Sequence, residues 1–379
     1  MAEGAIIARV LASPLEVDAT AWNALLALQS HPTPFMRHEY LAALHESESA
    51  VPHTGWTPRF MTLWEGDLLV AACPLYLKSH SYGEYVFDWA WASAYEQHGV
   101  PYYPKAVVAV PFTPVPGTRL MARDAAARQW LVQALCQWCE DEGISSLHVL
   151  FASDDDVLTG AREGLMLRHT VQFHWKNVAP TLGTDVSSLP PEGALAALGR
   201  PGGGSAAPTL GTGVSSLPPE GALAALGRPG GGSGAAPTLG TDVSSLPPEG
   251  ALAALGRPGG GSAAYRNFDD FLQCLSQDKR KKIRQERRRV SDAGVRFRWA
   301  RGTDIAPTDW DFFYRCYERT YLEHGNPPYL TRDFFARMAQ HMPEAWLLFI
   351  AEREGLPIAS SLIAISAYPS DDAGQKHQE

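Results

Sequence analysis

The stretch RFMTLWEGDLLVAACPLYL, residues 59–77, predicts a strand, a tight turn and a second strand. A second stretch, WLLFIAEREGLPIASSLIAI at residues 346–365, repeats the pattern, with Glu354-Gly355 at the turn opposite Glu65-Gly66. Two such similar hairpins, far apart in one chain, indicate an internal duplication.

The segments before the two hairpins are also similar, because PTPFMRHEYLAAL (32–44) aligns with NPPYLTRDFFARM (326–338). The aligned pairs include Pro34 with Pro328, Phe35 with Tyr329, and Tyr40 with Phe334. Both segments predict an extended X-Pro entry followed by a helix. Each is preceded by an aromatic-rich helix, one around Trp22 and one over residues 310–321. The chain therefore contains two copies of one α/β module.

The first copy continues beyond its hairpin with further predicted elements. These are strands at 85–91, 107–112, 145–151 and 170–175, and helices from Asp124 and near Asp156. The second copy reaches Ile365 and is followed by fourteen polar or small residues. We therefore expect the second module to be truncated. Its exposed strand edge favours self-association.

Three near-copies of TLGTDVSSLPPEGALAALGRPGGGS begin at Thr181, Thr209 and Thr238. Each copy is rich in Gly and Pro and contains no aromatic residue, which favours a flexible, partly helical linker. The alternatives are a small stacked array and a phosphate-binding use of PGGGS. We predict a first module at 1–177, a linker insertion at 178–264, and a basic helix with the second module at 265–379.

The overall composition is that of a globular protein of 379 residues with a net charge of -9. No apolar run is long enough to cross a bilayer and no basic leader precedes one, so we expect a cytoplasmic protein. Five cysteines form no disulfide framework. Cys136 and Cys139 spell CxxC at helical spacing without a second pair, so we expect core cysteines and no metal.

Several segments carry a family resemblance. They are AYEQHGVPYYPK (94–105), VPFTPVPGTRL (110–120), VQFHW (171–175), FDDFL (268–272) and QDKRKKIRQERRRV (277–290). Together they resemble the FemAB-like proteins, described as peptidoglycan biosynthesis or recognition proteins and built from two fused halves of the GNAT (acyl-CoA N-acyltransferase) type. The resemblance implies an α/β fold of two GNAT-like modules, with mixed sheets flanked by helices and the second module incomplete.

The resemblance also implies an N-acyltransferase that joins an acetyl or aminoacyl group to an amine. The acyl donor is then acetyl-CoA or aminoacyl-tRNA, with no tightly bound cofactor, and the acceptor a small molecule or a lipid-linked precursor. Two alternatives stay open: a non-catalytic binding protein for a phosphate-rich partner, and a truncated descendant without activity.

The aromatic stretch from Tyr85 to Lys105 holds the candidate catalytic and acceptor-binding residues. Alternating aromatics in YVFDWAWA predict a strand with the rings on one face and Asp88 on the other. The rings form either a core face or a stacking surface for a sugar or base. Glu96 and His98 are the candidate acid and base. The candidate acceptor-binding residues are Asp88, Trp91, Tyr95, Tyr102, Tyr103 and Lys105.

Two further segments are candidate phosphate sites. The turn at Gly117, Thr118 and Arg119 is either a donor-binding turn or a tight structural turn. Between Lys279 and Arg289 eight basic residues accompany one acid, on a predicted helix that is either a solvated face or a site for tRNA or a lipid diphosphate. Its candidate contact residues are Lys279, Arg280, Lys281, Lys282, Arg284, Arg287 and Arg288.

Overall fold

The computed structural model describes residues 5–172 without Phe87, together with Tyr265 and residues 267–366. It divides the chain into two compact units, one of residues 1–168 and 295–379 and one of residues 169–294. The repeats lie outside the described residues, so the linker and the domain boundaries predicted around them stay predictions. None of the helices formed by the described residues combines the length and apolar character needed to cross a bilayer.

Both predicted hairpins are present in the first unit, and their strands pair in the same register. Strands β3 (Phe60–Glu65) and β4 (Leu68–Cys73) pair antiparallel, as do β10 (Trp346–Arg353) and β11 (Leu356–Ala364). Leu63 faces Ala71 in the first hairpin, and Ala351 faces Ala359 at the same distance from the turn in the second. Each hairpin then has a register shift of one residue, which leaves Val70 and Ile358 as equivalent bulge residues.

The turn alignment expected from the sequence is wrong by one residue. Glu65 pairs with Leu68, and Arg353 pairs with Leu356, so Gly66 is equivalent to Glu354. Both residues are in the left-handed region, with φ of 59° and 54°. The first central residue of a two-residue hairpin turn requires positive φ. The alignment of the two turns is therefore set by this backbone geometry and not by the identity of the residues.

A further strand extends the repeat on the other side of each hairpin. β1 (Ile6–Leu11) pairs antiparallel with β3, and β9 (Val295–Arg301) pairs antiparallel with β10. The first-half sheet has the order β1-β3-β4-β7, where β7 is the short strand Met121–Ala122, and the second-half sheet has the order β11-β10-β9. The two sheets have the same topology, except that β7 is a fourth strand in the first.

The four helices of the duplicated segments form as predicted. In the first half they are α1 (Ala19–Ala27) and α2 (His38–Glu46). Their counterparts α8 (Pro307–Glu323) and α9 (Arg332–His341) lie in the second half. The Asp18 side chain caps α1, and the Thr331 side chain caps α9. Pro307 fits the first turn of α8, where a missing N–H costs nothing.

The remainder of the first half forms a second sheet, of mixed type. β2 (Trp56–Pro58), β5 (Leu75–Lys78), β6 (Lys105–Val108) and β8 (Leu147–Val149) lie in that order, with β6 and β8 parallel. The predicted helices are α4 (Ala125–Asp141), which begins after Asp124, and α5 (Asp154–Arg162). The fold is therefore mixed α/β, with several sheets flanked by helices.

The predicted strand at residues 85–91 is wrong. Tyr85 has a φ of 57°, which no extended strand residue adopts, and residues Trp89–Gln97 form helix α3. Alternate alanines in WAWASAYEQ favour a helix, and this preference outweighs the alternation of aromatic residues. The strand predicted at 107–112 ends at Val108. Residues 170–172 form no strand, and the rest of the strand predicted at 170–175 lies outside the described residues.

The two halves of the first unit share one hydrophobic core. Trp22, Tyr40 and Phe60 from the first half pack in the same cluster as Trp310 and Phe334 from the second. At its centre the aligned residues Tyr40 and Phe334 meet edge to face, with ring centroids 5.3 Å apart.

Polar contacts between the ends of α2 and α9 are reciprocal: the start of each helix bonds to the residues that follow the other. The Thr331 backbone N–H, at the start of α9, donates to Ser49 Oγ, which follows α2, at 3.2 Å. Conversely Arg37, at the start of α2, donates to the Glu344 carboxylate, which follows α9. Aligned residues that contact each other, with reciprocal contacts around them, are the arrangement expected about an internal pseudo-two-fold axis.

The second unit contains α6 (Phe268–Gln273) and the basic helix α7 (Gln277–Asp292). The sequence predicts one buried stripe through Phe268, Phe271, Leu272 and Leu275. Only part of this stripe forms. Leu272 is buried, but Phe268 is 43% exposed, and Leu275 lies beyond the end of α6 at Gln273.

We expect Phe334→Ala to lower the free energy of unfolding by about 3–5 kcal/mol, because the ring is buried and its loss leaves a cavity in the shared core. Phe297→Ala removes an exposed ring from the same half and is expected to change stability by less than about 0.5 kcal/mol. Urea unfolding measures both values, and hydrogen exchange read by mass spectrometry locates the change. Protection that falls only in α9 and not in α2 would show that the halves do not unfold together.

Candidate functional site

Lys105 lies at the centre of a buried ionic cluster at the start of β6. Its ammonium group donates to Ser81 Oγ at 2.9 Å, to Glu84 Oε2 at 2.8 Å and to the Asp88 carboxylate. The side chains of Lys105, Glu84 and Asp88 are each 1% exposed. The three acceptors come from residues 79–104, between β5 and β6. Lys105 therefore holds the segment 79–104 in place from the protein interior, through bonds to three of its residues.

Tyrosine side chains complete the hydrogen bonding of the cluster. The Tyr102 hydroxyl donates to Asp88 Oδ2 at 2.7 Å, and the Tyr103 hydroxyl lies 2.8 Å from Ser81 Oγ. Two carboxylate oxygens, Glu84 Oε1 and Asp88 Oδ1, are buried and have no hydrogen-bond partner among the residues that the structure describes. A buried acceptor normally has a partner, so these two atoms leave the cluster with unused capacity to bind a proton or a water molecule.

A second buried lysine lies beside the cluster. Lys78 Nζ lies 3.7 Å from the centroid of the Trp56 ring and donates to the Tyr82 carbonyl at 3.2 Å. Burial lowers the pKa of Lys78 to about 7, and burial raises the pKa of Glu84 above its ordinary value. Burial alone would also raise the pKa of Asp88, but hydrogen bonds from Lys105 and Tyr102 hold it below its ordinary value. Asp88 is thus the anionic partner of Lys105.

The structure brings some of the predicted acceptor-binding residues together, but inside the protein. Asp88, Tyr102 and Lys105 are buried and bonded to one another, so none of them presents a free polar group to solvent. Trp91, Tyr95 and Tyr103 are half-buried around them. The Tyr95 ring lies 5.1 Å from that of Tyr102, and the Arg168 guanidinium lies 5.8 Å from that of Trp91.

The predicted acid and base, Glu96 and His98, are exposed at the end of α3. His98 Nδ1 lies 2.7 Å from the Ala94 carbonyl, which fixes the ring and leaves Nε2 toward solvent. Both residues are accessible to a ligand, and their catalytic role stays a prediction.

An aromatic wall, formed by Tyr85 and Phe112 of the first half and Tyr321 and Tyr329 of the second, was missed by sequence reasoning. The Phe112 and Tyr329 rings stack at 4.8 Å with planes 13° apart, and the Tyr321 ring lies 5.4 Å from that of Tyr329. The Tyr85 and Tyr321 hydroxyls are 3.4 Å apart. Tyr85 remains 44% exposed. Each half supplies rings to a surface that neither half forms alone.

Backbone strain marks the first-half residues of the wall. Tyr85 and Phe112 have φ of 57° and 59°, in the left-handed region that bulky residues avoid. Their positions are connected, because the Phe112 N–H donates to the Gly83 carbonyl at 3.1 Å. Residues held in such conformations are concentrated at binding and catalytic sites.

The turn at Gly117, Thr118 and Arg119 is closed by internal hydrogen bonds. Its N–H groups donate to the Phe151 carbonyl at 3.1 Å, the His31 carbonyl at 3.0 Å and Asp156 Oδ2 at 2.7 Å. The Arg119 side chain is buried and donates to the Val115 carbonyl, and burial lowers its pKa to about 10. Because every N–H of the turn already has an acceptor, the geometry favours the tight structural turn over a donor-phosphate site.

The basic helix α7 is exposed along its length, with no buried residue. An open cleft on α6 and α7 is lined by Gln273, Gln277, Arg280, Lys281, Arg284, Gln285 and Arg288. Two of the predicted contact residues have partners on α6, since Arg284 pairs with Asp269 at 3.7 Å and Arg287 lies 4.2 Å from the Phe268 ring. Lys279 and Lys282 are exposed. Among the described residues, Asp269 is the acid found paired with a basic side chain of this helix.

The CxxC pair lies on α4 as predicted from its helical spacing. Cys139 is 7% exposed and packs in the cluster between α4 and the first-half sheet, while Cys136 is half-buried at its edge. Within the residues that the structure describes, no group of three or more His, Cys, Asp or Glu side chains is placed to hold a metal ion.

We expect Lys105→Met to destabilise the protein by about 3–5 kcal/mol, because it leaves the buried Asp88 carboxylate without its charge partner. Lys105→Met combined with Asp88→Asn removes both charges and is expected to regain part of that loss. Lys281→Met, on the exposed face of α7, is the control and is expected to be neutral within about 0.5 kcal/mol. Urea unfolding of the wild type, Lys105→Met, Asp88→Asn and the double variant gives the coupling energy, and additive effects of the two single changes would contradict the pairing.

The lowered pKa of Lys78 predicts a pH dependence of stability. Between about pH 7, its folded value, and about pH 10, its ordinary value, the unfolded chain binds a proton that the folded chain releases. The free energy of unfolding therefore rises with pH across this window. Urea unfolding between about pH 7 and about pH 9.5 should show a smaller rise in Lys78→Met than in the wild type. Equal slopes in the two proteins would mean that Lys78 titrates normally.

Comparison with solved structures finds acetyltransferases at low overall similarity. The aminoglycoside N-acetyltransferase AAC(6')-Iy in complex with CoA is 10% identical, with a TM-score of 0.28, and the match covers 46% of this chain and 95% of that one. A Trypanosoma brucei acetyltransferase is 14% identical, with a TM-score of 0.27, covering 45% and 99%. An integron cassette protein from the Cole Harbour salt marsh metagenome is 16% identical, with a TM-score of 0.24, covering 46% and 91%. No protein with curated annotation matches the sequence.

The family comparison spans both halves of the chain. The model of the FemAB-like family, described as peptidoglycan biosynthesis/recognition, matches residues 13–181 and 261–368. These two segments include every element of the duplicated module except β1, and the gap between them falls on the repeats. The resemblance drawn from the sequence motifs is thereby confirmed, and the chain belongs to the FemAB-like family of peptidoglycan biosynthesis and recognition proteins.

Proposed function

We propose that this protein is an N-acyltransferase that joins an acyl group to an amine acceptor in a peptidoglycan-related process. The observation that carries the proposal is the aromatic wall, which the two family-matched segments build together. A site that needs both halves gives a physical reason for a two-half architecture. The family membership supports the peptidoglycan-related process, and the acyl-transfer reaction is the one that the sequence resemblance implies.

The wall is the proposed acceptor surface. Aromatic rings bind the apolar face of a sugar or the plane of a base by stacking, and tyrosine hydroxyls add hydrogen bonds. Tyr85 is suited to this role because its ring is 44% exposed while its hydroxyl approaches Tyr321. The buried Lys105 cluster holds the loop that carries Tyr85, so its proposed role is to position the wall rather than to contact the acceptor.

Acyl transfer requires the amine nitrogen to attack the acyl carbonyl carbon while the donor's thiol or ribose hydroxyl leaves. The attacking amine must lose a proton, which a nearby base or water accepts. Glu96 and His98 are the proposed groups for this step, because both are exposed on the helix that follows the Tyr85 loop. The remaining acceleration comes from holding the amine and the acyl group together.

The structure supports aminoacyl-tRNA over acetyl-CoA as the proposed donor. The Gly117 turn has no free N–H for a pyrophosphate, whereas α7 offers exposed positive charge suited to a nucleic-acid backbone. The same two observations favour a second candidate function, a binding protein for a phosphate-rich partner such as tRNA or a lipid-linked precursor, without turnover. Turnover itself distinguishes the two functions.

The donor is tested by thermal melts of the full chain with acetyl-CoA and with aminoacyl-tRNA, because a ligand that binds only the folded state raises the midpoint. We expect a shift with aminoacyl-tRNA that is lost in Arg280→Glu/Arg284→Glu and retained in Arg162→Glu, a matched reversal at the exposed end of α5. Release of deacylated tRNA in the presence of an amine acceptor reports turnover. A shift without release would establish the binding protein, and a shift with acetyl-CoA alone would contradict the proposed donor.

The acceptor site is tested by Tyr85→Ala and Tyr321→Ala. We expect each to lower kcat/KM by about tenfold, mainly through KM for the acceptor, because about 1.4 kcal/mol of stacking is lost. Trp130→Ala, which removes an exposed ring on α4, is the control and is expected to leave both constants unchanged. Wild-type kinetics in both wall variants would exclude the wall as the acceptor surface.

A further inference from the structure

The rings of the aromatic wall meet at steep angles instead of forming a flat platform. The planes of Tyr321 and Tyr329 are 73° apart, with ring centroids separated by 5.4 Å. Phe112 and Tyr329 are nearly parallel, but they stack on each other at 4.8 Å, so the faces between them are covered. A planar ligand gains most from stacking on a flat, exposed ring face. Rings set nearly at right angles instead enclose a corner, which suits a compact, rounded group.

Tyr82 extends this corner on the side of the first half. Its ring is 48% exposed and lies 6.0 Å from that of Trp89, with planes 73° apart. Burial raises the pKa of Tyr329, and the neighbouring Tyr85 and Tyr82 phenols raise it further, so Tyr82 lies near the wall. Two exposed tyrosines from one loop of the first half therefore adjoin the rings that the second half supplies.

The surroundings of the wall favour a cation over a neutral polyol. The Tyr85 and Tyr321 hydroxyls lie 3.4 Å apart, so neither keeps its full hydrogen-bonding capacity for the hydroxyls of a sugar. Within the part of the chain that the structure describes, lysine or arginine groups lie over other rings, as Arg9 does over Trp64 at 5.0 Å, but over none of the four wall rings. The negative faces of the wall rings are thus not used by a described cation of the protein.

We propose that the wall, together with Tyr82, binds the acceptor through a positively charged ammonium group. An alkyl amine has a pKa close to that of a lysine side chain, about 10.4, so an amine acceptor arrives as its ammonium ion at neutral pH. A cation within about 6 Å of a ring centroid is attracted to the ring face, and several rings around one cation form an aromatic cage. The base then removes a proton before the nitrogen attacks the acyl carbon. This inference rests on the proposed role of the wall as the acceptor surface, and it names the acceptor as an organic cation.

Choline and its uncharged tert-butyl analogue, in which carbon replaces the nitrogen, test the charge directly. The two have the same shape, and neither carries an amine that can be acylated. In an NMR titration with the full chain, the methyl signal of choline should move upfield, because its protons lie over ring faces. We expect a Kd for choline at least about tenfold lower than that for the analogue. Equal affinity of the two ligands, or no shift with either, would overturn the proposal.

Tyr85→Leu and Tyr321→Leu remove one ring from each half and locate the site. Each should raise the Kd for choline by about threefold or more, toward that of the analogue. Trp299→Leu is the matched control, because it removes a 65% exposed ring outside the wall, and it should leave the Kd unchanged. Tyr82→Leu, at an exposed position, replaces Tyr321→Leu if that variant does not fold. An effect of Trp299→Leu as large as that of the wall variants would exclude the wall as the cation site.

Acceptor kinetics separate a failure of this inference from a failure of the proposed function. Choline should inhibit competitively with the acceptor if both occupy the wall. If choline and its analogue bind alike while Tyr85→Ala still raises KM for the acceptor, the wall is the acceptor surface and the cation inference is wrong. If choline binding depends on the wall but KM for the acceptor does not respond to Tyr85→Ala, the cation site is not the acceptor site, and both proposals for the wall fail.

Discussion

The packing of α2 against α9 is the constraint on which the rest of the first unit depends. Tyr40 and Phe334 occupy the centre of that contact, and the core around them draws side chains from both halves. Buried aromatic rings contribute a large share of core stability. Because each half completes the core of the other, the aromatic wall follows as a geometric consequence. Tyr321 and Tyr329 reach Tyr85 and Phe112 only when the two helices are docked.

Much of the fold could be predicted from the sequence because it is determined locally. The hairpins follow from apolar runs on both sides of short turns, and the helices from their caps and X-Pro entries. Residues 79–104 could not be predicted in this way. Their conformation depends on Lys105, whose partners Glu84 and Asp88 lie many residues earlier in the chain. Ion pairs between distant residues leave no periodic pattern, so the aromatic alternation around Trp89 predicted a strand where a helix forms.

The candidate site shows the same limit. The sequence suggested Asp88, Tyr102 and Lys105 as acceptor-binding residues, but it could not show that all three are buried and bonded to one another. Composition likewise gave no reason to connect Tyr321 and Tyr329 with Tyr85, since that contact requires the pseudo-two-fold docking. The alignment of Phe35 with Tyr329 was the available signal. These two aligned residues have different partners. Phe35 packs on Tyr40 of its own half, whereas Tyr329 stacks on Phe112 of the other half.

The hairpins of the two halves pair their strands in the same register, but different elements pack against their sheets. The first half fills its sheet edge with β7 and its outer face with α4, so its own surface is closed there. It also contributes the Lys105 cluster and the strained residues Tyr85 and Phe112. The second half contributes rings to the wall and keeps Phe297 and Trp299 exposed on its other side. Among the described residues, the first half therefore supplies the organised loop and two strained rings of the aromatic wall, and the second half supplies the two tyrosine rings that meet them.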